Sequence, residues 1–92
     1  MIIGFRHKGL ERFYRADDAR GVNARHAPKL RRILTLLSRA KNHQGMNVPG
    51  FRLHAMKGER AGTWAVDVSG NWRVTFRFDG ENVTAVDYED YH

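Results

Sequence analysis

His54, Lys57, Arg73, Asp90, Tyr91 and His92 all lie in the second half of this 92-residue chain. By type they are the groups that RNA cleavage without a metal requires. A base removes the proton from a ribose 2′-hydroxyl, cations stabilise the charge added to the phosphorane, and an acid protonates the departing 5′-oxygen. Taken one at a time, each has an ordinary structural alternative. Arg73 can be the cross-strand partner of a carboxylate, Lys57 before Gly58 a turn lysine, and His54 a surface or satisfied core histidine. Tyr91 can stack on a base or simply cover a sheet, and His92 can be a frayed end. The five histidines show no ligand spacing such as His-x-x-x-His with an acidic neighbour. Neither a metal site nor a cofactor is therefore expected.

Charge points to the same class of partner. All sixteen Lys and Arg residues and only five of the ten acids fall within residues 1–78, and residues 79–92 carry the other five acids and no cation. So basic a body attracts polyanions through phosphate neutralisation, or acidic proteins through charge complementarity. The alternative is a basic protein whose charges only solvate it. A chain of this length has one core and hence one domain, residues 1–92. The absence of cysteine excludes a disulfide framework and a thiolate metal site. The apolar run at Met1-Ile2-Ile3 is too short for a signal segment, and no stretch approaches a membrane span. A cytoplasmic protein with no membrane association is expected.

The elements that must position the six residues can be read from periodicity. Ile2, Ile3 and Phe5 read as a short first strand. Leu10, Phe13 and Tyr14 share one face of a short helix from His7 to about Tyr14, closed by a loop at Asp17-Asp18 and Gly21. Asn23 is a candidate cap for a second helix, with Pro28 in its first turn, Leu30, Ile33, Leu34, Leu37 and Ala40 on its apolar face and Gly45 as its stop. Lys29, Arg31 and Arg32 on its other faces, with Arg77 on a later strand, are candidate RNA-binding cations. A solvated amphipathic face explains the helical ones equally well. After Pro49-Gly50 the period becomes 2. Trp64, Val66 and Val68 form one strand face and Trp72, Val74, Phe76 and Phe78 another.

Keeping one face apolar selects a three-residue Ser69-Gly70-Asn71 loop, pairing Val68 with Trp72, Val66 with Val74 and Trp64 with Phe76. A similar three-residue loop at Asp79-Gly80-Glu81 sets Val86 against Val74, Tyr88 against Trp72 and Arg73 against Asp87. Val83 then points outward, which leaves a bulge or another loop length open. The result is an α+β fold, an antiparallel sheet with two N-terminal helices packed on one face. The other face is left open, carrying Arg73, Thr75, Arg77 and Tyr91. The same parity leaves Asp90 and His92 on the core side unless the chain twists after Glu89.

Several segments together resemble a known family. These are Phe51-Arg52-Leu53-His54-Ala55-Met56-Lys57-Gly58, the Lys-Gly-x-Arg-x-Gly-x-Trp of Lys57 to Trp64, and Gly70-Asn71-Trp72-Arg73-Val74-Thr75-Phe76-Arg77-Phe78. Asp87-Tyr88-Glu89-Asp90-Tyr91-His92 completes the series, with Gly4 to Leu10 and Arg31-Arg32-Ile33-Leu34 upstream. In this order they resemble HigB toxins, a branch of the RelE/ParE superfamily. The resemblance implies a RelE-like microbial RNase fold and cleavage of messenger RNA in the ribosomal A site, leaving a 2′,3′-cyclic phosphate and a 5′-hydroxyl. It also implies a neighbouring helix-turn-helix antitoxin (HigA-like), a 70S ribosome and mRNA as targets, and operator DNA reached only through the antitoxin complex. His54, Lys57, Arg73, Asp90, Tyr91 and His92 match the family's catalytic positions. The gyrase-poisoning ParE branch shares the fold but is not expected to carry this set. Two other readings of the same fold stand beside it: a non-catalytic module binding RNA or an acidic partner, and a co-repressor acting only with its antitoxin.

Overall fold

The computed structural model describes residues 1–91, so His92 lies outside the described residues. Helix α1 spans Lys8–Ala16 and helix α2 Ala27–Arg39. Strands β1 (His54–Ala55), β2 (Thr63–Ser69), β3 (Trp72–Asp79) and β4 (Asn82–Asp90) follow. The strands form one sheet in the order β1-β2-β3-β4, every neighbouring pair antiparallel. Leu10 and Phe13 of α1 join Leu30, Ile33, Leu34 and Leu37 of α2 in a single core with Val66, Val74, Phe76, Val83, Val86 and Tyr88 of the sheet. Both helices therefore cover one face, as the apolar periodicities require.

The helix ends differ in detail from the sequence reading. His7 caps α1, its Nδ1 accepting the Leu10 amide at 2.9 Å. Asn23 caps the single 3-10 turn Ala24–His26 rather than α2, whose own N-terminus carries Pro28 but no side-chain cap. The helix stops at Ala40, which turns extended, and Gly45 lies beyond in a separate turn, His43–Met46. Ile2 and Phe5 do not build a strand. Each makes one parallel bridge to β4, Ile2 to Val83 and Phe5 to Val86, and the left-handed Ala85 between those partners (φ 53°) interrupts any continuous ladder.

Each hairpin uses a two-residue turn followed by a one-residue bulge. In the first, Ser69 pairs with Trp72 across Gly70-Asn71, Val68 is the extra residue, and Val66–Val74 and Trp64–Phe76 pair as expected. In the second, Asp79 pairs with Asn82 across Gly80-Glu81, and the register shifts between Thr75 and Arg77, opposite Ala85. The bulge lengthens β4 by one residue, so pairing beyond it is displaced from the three-residue-loop reading by two. Arg73 therefore faces Glu89 and not Asp87, Val74 faces Tyr88, and Trp72 faces Asp90. It also resolves the outward Val83: parity changes at Ala85, and Val83 and Val86 are both fully buried.

Candidate active site on the open face of the sheet

Directly paired residues of an antiparallel sheet share a face, so the register maps the face opposite the helices. Its first row is Asp67–Arg73–Glu89, its second His54–Ala65–Thr75–Asp87, and its third Thr63–Arg77–Thr84. Although no helix covers it, this face is not bare: Thr75 is 1% and Arg73 8% exposed. Long cationic and aromatic side chains lie across it.

Arg73 is the best-held of them. Its Nε donates to Glu89 Oε1 at 2.9 Å and its Nη2 approaches the same oxygen at 2.8 Å. Its guanidinium carbon sits 4.1 Å from the Tyr91 ring centroid, within cation–π range. Arg60, from the turn Gly58–Arg60, donates to that same Glu89 oxygen at 2.8 Å. Two cations thus share one carboxylate, the trio keeps a net positive charge, and Arg73 retains N–H donors for an anion. Tyr91 owes its position to the end of the hairpin, where its backbone N–H donates to the Asn71 carbonyl at 2.8 Å.

Burial by itself raises the Glu89 pKa, but the hydrogen bonds and charges of Arg60 and Arg73 outweigh it and hold the carboxyl below its ordinary value. A carboxyl depressed in the folded state adds stability at pH above its unfolded pKa, and that stability disappears as pH falls through the folded one. We therefore expect wild-type protein to lose stability as pH falls below the ordinary glutamate value of about 4.3, while Glu89→Gln loses less over that range. Urea melts across this window check it, and parallel stability curves for the two proteins count against it.

His54 stands on β1 in the row of Thr75, two strands away and exposed. Strand spacing sets its Cα roughly 12 Å from that of Arg73, so the two residues stand on either side of β2. Its Nδ1 lies 2.8 Å from the Arg52 carbonyl. A carbonyl only accepts, so Nδ1 carries the hydrogen and Nε2 of the neutral ring is left as an acceptor. Lys57 is exposed immediately before the turn Gly58–Arg60, with no carboxylate paired to it among the described residues.

The other sequence candidates are distributed differently. Asp90 ends β4 opposite Trp72, on the core-side parity of Tyr88. Its charge, acting after burial, helps raise the Tyr88 phenol, which is 2.6 Å from Nδ1 of buried His26. Arg77 lies on the open face with Arg73. Lys29, Arg31 and Arg32 do not, because α2 buries its apolar stripe against the sheet and turns its cations outward. Lys29 donates to the Gly50 carbonyl at 3.0 Å, Arg31 pairs with Asp17, and Arg32 lies over the Phe51 ring at 5.3 Å. Glu89 and Arg60 were missed by sequence reasoning. The signal for Glu89 was its parity with Tyr91, two residues on; the signal for Arg60 was its place inside the Lys57 to Trp64 motif.

A two-helix layer on a four-stranded antiparallel sheet, with arginines presented on the uncovered face, is the architecture of a RelE-like toxin. Residues 3–92 match the family model described as the RelE-like toxin of type II toxin-antitoxin system HigB, and the chain belongs to that family. Over 92 residues, all of both chains, it is 35% identical to the endoribonuclease HigB of Proteus vulgaris. Membership of a type II toxin-antitoxin family implies an antitoxin partner. No helix among the described residues is long and apolar enough to cross a membrane.

Proposed function

We propose that this chain is a ribosome-dependent endoribonuclease, the growth-inhibiting toxin of its pair, which cuts messenger RNA in the ribosomal A site by 2′-hydroxyl attack without a metal. The observation that carries this reading is an arginine held by a carboxylate beneath a tyrosine ring, Arg73–Glu89–Tyr91, with an open imidazole nitrogen on the same face at His54. Relationship to a protein named an endoribonuclease supports it.

In this mechanism a base takes the 2′-hydroxyl proton, the 2′-oxygen bonds to phosphorus, and the bond from phosphorus to the 5′-oxygen breaks. The products are a 2′,3′-cyclic phosphate and a 5′-hydroxyl, the latter protonated by an acid. Arg73 and Lys57 stabilise the phosphorane charge. Tyr91 stacks on and orients the substrate. His54 is the base, supported by its acceptor Nε2; Asp90, on the other parity, is the second candidate for that role. His92 is the acid. Arg77 binds RNA beside this group, and Lys29, Arg31 and Arg32 serve as outlying contacts to RNA of the ribosome. The working setting is the cytoplasm, with a HigA-like helix-turn-helix antitoxin that neutralises the toxin and brings the complex to operator DNA.

Primer extension on a translated message tests this. Cuts at codon-sized intervals within the reading frame are expected with ribosomes present. Intact transcripts on actively translating ribosomes sink the proposal.

A further inference from the structure

The third row of the open face opens into a cavity of about 150 Å³ lined by Arg6, Arg60 and Arg77, by Thr63 and Thr75, and by Glu59. Three guanidinium groups and two buried threonines around so small a space are an unusual density of donors. Arg60 is engaged by Glu89, but Arg6 and Arg77 pair with no carboxylate among the described residues. Arg77 is nonetheless fixed. Its Nη1 donates to the Thr63 hydroxyl at 3.1 Å and to the Ala61 carbonyl at 3.3 Å, which leaves Nε and Nη2 open. A surface arginine that only solvates the protein needs no such seat.

We propose that this cavity is a second phosphate subsite, holding a backbone phosphate of the RNA strand adjacent to, but distinct from, the one at Arg73. Arg73 and Arg77 are four residues apart on β3, roughly 13 Å along the strand, and their guanidinium groups are anchored in different places, Arg73 on Glu89 and Arg77 on the Thr63 hydroxyl and the Ala61 carbonyl. A strand lying along β3 delivers a different phosphate to each. Guanidinium forks match phosphate oxygens in pairs, and such contacts set the register of the strand without reading its bases. Thr63 and Thr75 supply neutral hydroxyls, and the exposed Glu59 is outnumbered by the cations. This assignment rests on the RNA-cleaving function proposed above.

The test uses the full chain and a short 2′-O-methyl oligonucleotide, which binds but cannot be cut, followed by fluorescence anisotropy. Arg77→Ala is expected to weaken binding about tenfold, to lower the salt slope by about 0.7 for the lost single-strand phosphate contact, and Arg77→Lys to recover part of the affinity. Replacing single phosphates by neutral methylphosphonates, one or two nucleotides to either side of the central linkage, is expected to reproduce that loss at one position. There Arg77→Ala adds nothing further. Unchanged affinity in Arg77→Ala, losses that multiply at every position, or no binding by wild type each overturn the subsite. The two proposals fail separately. Wild type that shows the position-specific pattern yet leaves translated messages intact removes the cleavage function and keeps the subsite; wild type that cuts while Arg77→Ala matches it in both assays does the reverse.

Discussion

Arg73→Ala is expected to reduce message cleavage on ribosomes by about 10²- to 10³-fold, the usual loss when one preorganised donor to a developing anion is removed. Its guanidinium is oriented by Glu89 at 2.8–2.9 Å and by the Tyr91 ring, so it needs little reorganisation as charge builds on the phosphorane. The protein should remain folded, because Arg60 still pairs with Glu89 at 2.8 Å and no buried carboxylate is orphaned. Circular dichroism and a melting curve near wild type are therefore part of the expected result. Arg73→Lys should recover only a small part of the activity, since an ammonium cannot form the planar fork that Glu89 and Tyr91 hold. Cleavage by Arg73→Ala within threefold of wild type refutes a phosphate role for this residue.

The second large effect is expected at His54. If its Nε2 takes the 2′-hydroxyl proton, His54→Gln loses about 10²- to 10⁴-fold in kcat while KM moves little, because glutamine keeps polarity and approximate size but cannot accept the proton. One ionisation limb of the pH–rate profile should vanish with it. Asp90→Asn is the informative companion. Asp90 lies on the parity of Tyr88, whose phenol feels its charge, so this variant should fall less far and retain the limb. The opposite ranking, with Asp90→Asn removing the limb and His54→Gln keeping it, transfers the base role to Asp90.

The first of these effects depends on Glu89. Neither charge counting nor periodicity singled it out, yet it is the residue through which Arg60 and Arg73 are joined. Its place opposite Arg73 comes from one bulge. A three-residue turn after β3 pairs Arg73 with Asp87; a two-residue turn plus the extra residue at Ala85 pairs it with Glu89. Both arrangements leave Tyr88 inside and Tyr91 outside, so hydrophobic parity cannot separate them. Val83 could, because only the bulge buries it.

What the sequence determined by itself was whatever depends on period and residue type. The two amphipathic helices, the three long strands, the apolar face and the membership of Arg73, Thr75, Arg77 and Tyr91 on the opposite face all follow from local alternation, which tertiary packing has no reason to reverse. The six candidate residues were likewise legible as chemistry. Only the tertiary structure decided which of them meet. It joined Arg73 to Tyr91 through the end of β4, set His54 across β2 from them, and left Asp90 on the other parity. It separated Arg77 from Lys29, Arg31 and Arg32 by the thickness of the core. The reason is that bulges and ladder ends are fixed by packing between segments distant in sequence, here Ile2 and Phe5 against Val83 and Val86, and a bulge of one residue reassigns every cross-strand partner beyond it.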